Sequence, residues 1–202
     1  ILSFSSLILP EFSQLYIKKN PHKINDSISK TFKITLLFSI GVTGIFIYFS
    51  DSLGQWIYNN AEAGYFIRLI APITAIMYLD FVVDSILKGI NQQVGVVKIN
   101  IIDTVMCIIL IYFILPAYST IGYIFVIFVS EIINGVLSIN MLIKATDFEF
   151  KFKNWILMPS FSAFLTGICL NLIKLENIYL EFAIFILAYI VFLSAFNCIR
   201  EA

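Results

Sequence analysis

Apolar residues run through this chain in long blocks separated by short polar stretches. A helix needs about 20 predominantly apolar residues to cross the hydrocarbon of a bilayer. On that measure six complete spans are expected, at 33–50, 64–88, 97–115, 118–143, 155–174 and 178–199, after a partial one that ends near Leu9. The third and fourth are joined so tightly, at Pro116–Tyr118, that they form a membrane hairpin. Lipid gives the backbone no hydrogen bonds, so apolar runs of this length are helices. Pro10, Pro116 and Pro159 fall near span ends, where a missing N–H matters least, whereas Pro72 falls inside the second span and is expected to kink it. The fold class that follows is an all-α membrane protein, a polytopic helical bundle of six complete transmembrane helices plus one partial.

Composition removes the soluble alternatives. Of the 202 residues 60% are apolar and only 13% charged, against about 25% charged in soluble domains. The chain lacks the residues to cover a water-facing surface. Thirteen basic and thirteen acidic side chains balance, so bulk charge points to no nucleic acid or other polyanion. Cys107, Cys169 and Cys198 sit singly in apolar runs and read as small hydrophobes, not as a disulfide framework or metal site. The single histidine, His22, lies in a basic stretch, which leaves no imidazole for catalysis within the membrane. The opening Ile1–Leu9 reads as the tail of a helix. With no initial Met, charged leader or cleavage site, the chain is expected to be a fragment.

Charge sets an expected orientation. Lys18, Lys19, Lys23, Lys30, Lys33, Lys88, Lys98, Lys144, Lys151, Lys153 and Arg200 all fall on one side of the spans, while the other side has only Arg68 and Lys174. By the positive-inside rule the basic loops face the cytoplasm, and the 51–63, 116–118 and 175–179 connections face outward. The basic 18–33 stretch has two readings: a solvated cytoplasmic loop, or an amphipathic helix lying on anionic lipid. Trp56 and Trp155, near the span ends, are expected in the interfacial aromatic belt.

Four acids do not follow the loops. Asp80, Asp84, Asp103 and Glu131 lie within spans, where each carboxylate costs about 2.5–3.5 kcal/mol. Asp80, Asp84 and Lys88 are spaced four apart and line one helical face. Asn100 and Asp103 share a face of the next span, and Glu131, Asn134 and Ser138 form a stripe on the one after. Counted outward from the hairpin, Asp103 and Glu131 stand level, and Asp80 stands near them in depth. Three successive helices thus bring polar groups to one layer in the basic half of the membrane. Two readings of that layer stand. It is a substrate or ion pathway, or it is a set of neutralised pairs and interhelical hydrogen bonds that lock helices together. Catalysis fits poorly: no Gly-x-Gly-Asp neighbourhood, phosphate loop, metal-spaced His/Cys set or nucleophile elbow is present, and Asp80-Phe-Val-Val-Asp84 is spaced too widely for a magnesium-pyrophosphate site. No catalytic residue, cofactor or metal is expected.

Several segments in order carry a resemblance: Leu9-Pro10-Glu11-Phe12-Ser13, Ile57 to Gly64, Ala71-Pro72, Tyr78-Leu79-Asp80, Ile86 to Gln93, Asn100-Ile101-Ile102-Asp103, Leu115-Pro116 and Ser130 to Asn134. Over about residues 1–160 the chain resembles the stage V sporulation protein B family. That family lies in the polysaccharide exporter branch of the multidrug/oligosaccharidyl-lipid/polysaccharide (MOP) flippase superfamily, which is MATE-like. Gln14 departs from it, since relatives tend to have Glu there. The resemblance implies a 14-helix transporter of two pseudo-symmetric lobes around a central cavity, of which residues 1–202 are the C-terminal transmembrane lobe and the N-terminal lobe is missing. It implies a non-enzymatic flippase of an undecaprenyl-linked oligosaccharide or peptidoglycan precursor in the plasma membrane, as expected for spore-cortex synthesis. The partners are then the lipid-linked saccharide, the bilayer and the missing lobe. Under that reading Asp80, Asp84, Asn100, Asp103, Glu131 and Asn134 line the pathway, Lys88 attracts the pyrophosphate, and Arg68 assists on the outer side. Two alternatives stand beside it: a cation-coupled multidrug exporter on the same scaffold, and a membrane scaffold that recruits cell-wall enzymes through its basic loops.

Overall fold

The computed structural model describes residues 2–146, 148–173, 177–196 and 198. Lys174 and Arg200, two of the charges used for orientation, lie outside the described residues. The described chain is helical and, among those residues, contains no strand. Helix α1 spans Leu2–Ile17, α2 Pro21–Tyr48, α3 Ser50–Tyr58, α4 Ala61–Gly89, and α5 Gln93–Thr146. A π-helical turn, Lys153–Leu157, leads into α6, Met158–Ile173, and α7 spans Ile178–Ala195.

Among the described residues five segments are long and apolar enough to cross a membrane. One of them, α5, is 54 residues long and contains a single non-helical residue, Ser119. There the chain reverses: Gly95 packs on Met141 and Asp103 meets Ser130, so 93–118 and 120–146 are the two antiparallel arms of a hairpin. Each arm is long enough to span, which makes six spans among the described residues, the number that the apolar blocks indicate. The reversal falls one residue beyond the expected Pro116–Tyr118 turn.

Asparagines punctuate the helices. Asn20 Oδ1 accepts from the Lys23 N–H at 3.2 Å, with Pro21 as the first helical residue, which is a strong start signal. Asn59 ends α3 in the left-handed region, where Asn pays less than other side chains. Asn60 Oδ1 accepts from the Glu62 N–H at the start of α4, Asn91 follows its end at φ 66°, and Asn177 caps α7. The Asn20 cap corrects both readings of the basic stretch. Residues 21–33 are neither a loop nor a separate surface helix; they are the first turns of α2 itself. Pro72 lies inside α4, and the helix continues on both sides of it.

The chain forms two compact units. The first comprises 1–31 and 76–149. Its core holds Phe12, Ile28, Val82, Val83, Ile86 and Leu87, all fully buried. Close approach of α1 to α4 depends on Gly89, where an added Cβ would stand 2.8 Å from Phe12 Cβ.

The second unit comprises 32–75 and 150–202. Here Gly41 and Gly44 of α2 receive the rings of Tyr189 and Phe185 from α7, the small-residue contact by which helices approach closely in lipid. Tyr189 Oη donates to the Leu37 carbonyl at 2.9 Å, Tyr48 Oη donates to Glu181 at 2.8 Å, and the Thr43 and Thr74 hydroxyls meet at 2.9 Å. Trp155 is buried against Phe32 and Phe150. It is therefore a core residue and not part of an interfacial belt, whereas Trp56 is 75% exposed.

Backbone crowding marks two positions for test. A side chain at Gly54 of α3 would press into the Gly64 backbone of α4, so Gly54→Ala should destabilise the protein by about 1–3 kcal/mol. Ser119 sits at φ 48°, ψ −132°, a conformation that costs a non-glycine residue about 1–3 kcal/mol. Ser119→Gly should therefore raise the thermal unfolding midpoint in detergent, and Gly54→Ala should lower it.

Candidate functional site

The intramembrane acids gather within the first unit, where α4 and both arms of α5 meet. Helix α4 turns Val82, Val83, Ile86 and Leu87 into the core and leaves Asp80 and Asp84 half-buried on the adjoining face. The second arm of α5 offers that region a polar stripe of Ser130, Asn134 and Ser138, each buried. Gly135, beside Asn134, brings the arm close to Ile76 of α4. Asn134 Nδ2 can then donate to Asp80 Oδ2 at 3.0 Å.

The first arm approaches the same stripe from its other side. Ser130 Oγ donates to Asp103 Oδ1, and Cys107 Sγ donates to Ser130 Oγ at 3.0 Å. Glu131 is half-buried and close enough to interact electrostatically with both Asp103 and Asp80. Asp84 also lies within electrostatic reach of Asp80 and pairs with Lys88 one turn along at 3.4 Å. So α4 and the two arms of the hairpin share one polar layer that contains Asp80, Asp84, Lys88, Asp103, Glu131 and Asn134.

Two expected positions stand apart. Asn100 is exposed, and among the described residues no hydrogen bond ties its side chain to the carboxylates; its backbone carbonyl accepts from Thr104. Arg68 belongs to the second unit, where its guanidinium donates to Ser50 Oγ at 2.9 Å and pairs with Asp51. That arginine staples α3 to α4. Conversely, Ser130 and Cys107 are site residues that were not expected. The available signal was the four-residue spacing Ser130–Asn134–Ser138, which defines the buried stripe better than one drawn through Glu131.

The layer is not fully satisfied. Asp84 Oδ1 and Asn134 Oδ1 are buried without a hydrogen-bond partner among the described residues, while the Ser138 hydroxyl is directed at Asp80. Buried polar atoms ordinarily find partners, and both of these oxygens can accept a hydrogen bond or a cation. Magnitudes bear on the meaning. A carboxylate in a span costs about 2.5–3.5 kcal/mol, while an interhelical hydrogen bond in lipid returns about 0.6 and at most about 1.7. Packing alone would favour apolar residues at these positions. Among the described residues no group of three or more His, Cys, Asp and Glu side chains is placed to hold a metal ion.

Removing the donor to Asp103 tests the packing part of this account. Ser130→Ala should lower unfolding stability in detergent by about 1 kcal/mol, and Ser130→Thr, which keeps the hydroxyl, should lose less.

Compared with known proteins, the chain matches the family model MatE over residues 3–118. Those residues include Asp80, Asp84, Lys88, Asn100 and Asp103. No curated protein and no solved structure matches the chain.

Proposed function

Because the chain belongs to the MatE family, membrane transporters of the MOP superfamily, we propose that it serves as the C-terminal lobe of a flippase for an undecaprenyl-linked oligosaccharide or peptidoglycan precursor. The observation that carries the reading is the gathering of Asp80, Asp84, Asp103 and Glu131 in one layer where Asp84 Oδ1 and Asn134 Oδ1 are buried without a donor among the described residues. Buried acceptors without donors suit a proton or a small cation, and binding one would change the charge of a layer shared by three packed segments. Such a change is the kind of local electrostatic event that biases a two-state element. In this reading Asp80, Asp84, Asp103 and Glu131 couple transport to cation binding.

The substrate assignment is supported by the resemblance of the ordered segments between Leu9 and Asn134 to the stage V sporulation protein B family. Lys88 fits the same reading. An ammonium has three donors, and one of them reaches Asp84, so Lys88 can hold that carboxylate and meet a pyrophosphate as well. The basic ends then lie in the cytoplasm of a plasma-membrane protein, as the distribution of lysines supports. A second reading, a cation-coupled multidrug exporter, is favoured by one observation: acids outnumber bases in the layer, which suits a cationic cargo better than an anionic one.

Depletion of the full-length protein separates the two. A flippase leaves lipid-linked precursor accumulating in the inner leaflet with drug susceptibility unchanged; a drug exporter gives the opposite pair of results. Asp80→Asn and Asp103→Asn should each cut export at least tenfold, on the order of the effect of a lost charge-assisted contact, with the protein still folded and in the membrane. Undiminished export by both variants would remove the coupling role from the layer.

A further inference from the structure

The carboxylate layer contains one base, Lys88, and the way that base is held bears on how the layer takes up a cation. Its ammonium stands 3.4 Å from Asp84 Oδ2, whereas a well-formed bond from an ammonium to a carboxylate measures about 2.7–2.9 Å. Among the described residues Lys88 makes no second ion pair. Its side chain is 41% exposed, against 15% for Asp84. The pair therefore joins a mostly buried carboxylate to an ammonium that already reaches water, and the contact is a long one.

Lysine suits so loose a hold. A flexible four-carbon stem carries its compact charge, and the stem can stay on apolar surface while the head moves into water. Lys88 also lies in the last turn of α4, where the helix dipole favours a cation whether or not Asp84 is engaged. Release from Asp84 thus leaves the ammonium in a tolerable place.

The acceptors around Asp84 point to what would replace it. Asp84 Oδ1 is buried without a donor among the described residues. So is Oδ1 of Asn134, a residue only 8% exposed whose Nδ2 is committed to Asp80. An Asn amide oxygen is an acceptor only, and carboxylate and Asn carbonyl oxygens are ordinary ligands of hard inorganic cations. Among the described residues no three His, Cys, Asp or Glu side chains are placed to hold a metal ion, which suits a singly charged cation better than a divalent one.

We propose that Lys88 is a tethered competitor of this cation: its ammonium holds Asp84 when no ion is bound, and a monovalent inorganic cation displaces it. Asp84 is then never left without a positive partner. The inference rests on the coupling reading of the layer given above and adds the residue that regulates its occupancy.

The probe is radioactive sodium bound to the full-length protein in detergent, at fixed pH and ionic strength, with helical content checked by circular dichroism. Lys88→Gln should tighten sodium binding about tenfold, the factor expected where a competitor holds the site about nine-tenths of the time. Lys88→Arg keeps the pair and should bind as weakly as the unaltered protein. Lys144→Gln removes an exposed positive charge from the same unit and should change binding much less. In an Asp84→Asn background, Lys88→Gln should have no further effect. Equal tightening by Lys88→Gln and Lys144→Gln would reduce the effect to net charge and overturn the inference. Sodium binding by Lys88→Gln that is absent, or no tighter than in the unaltered protein, would overturn it as well. The coupling reading is judged by a separate result, since it falls only if Asp80→Asn and Asp103→Asn both export undiminished.

Discussion

A carboxylate inside a membrane span has no water to turn to, and much of the first unit can be understood from how that need is met. Asp80 on α4 and Asp103 on the first arm of α5 both draw their donors from the second arm, through Asn134 and Ser130. One helix face therefore serves two neighbours. Gly135 against Ile76 and Gly95 against Met141 allow the backbones to come close enough. Shifting that face by one residue would strand both acids, so hydrogen bonding constrains the register of the hairpin as much as apolar packing does.

The second unit solves a different problem. It has few buried charges to satisfy and is held by aromatic rings set against glycines, with tyrosine and threonine hydroxyls bonded across helices. Each such bond is worth only about 0.6 kcal/mol in lipid, so ring packing carries more of the stability. Phe49, Leu170 and Phe185 form one buried cluster, and Phe32, Phe150 and Trp155 stack at another point. Arg68 is drawn into this architecture by Ser50 and Asp51, which explains how a cation near a span end is tolerated.

Much of the fold was legible because a spanning helix is specified by composition over a long window, and that signal survives errors at its ends. The depth of the acids was legible too, since a tight turn converts sequence distance into height along both arms: Asp103 and Ser130 are bonded where counting from the turn places Asp103 beside Glu131. What was not legible depended on single residues. Asn20 with Pro21 extends α2 back through the basic stretch, a signal hidden by the surrounding charge. Ser130 looks like any serine in an apolar run until its bond to Asp103 is seen. Trp155 has the position of a belt residue, yet the π-helical turn that holds it lies against Phe32 and Phe150. Arg68 and Asp51 are 17 residues apart, and only the contact of α3 with α4 joins them.

The single-residue reversal at Ser119 bears on how the protein is made. With no loop between the arms, neither can settle across a bilayer while the other waits outside, so the two are expected to leave the translocation machinery together. The Ser130–Asp103 bond lies wholly within that pair. Two helices bearing Asp103 and Glu131 can therefore partition into lipid with one of those acids already supplied with a donor. A break of one residue lets a hairpin that carries two intramembrane acids arrive partly self-solvated, before its packing against α4 is complete.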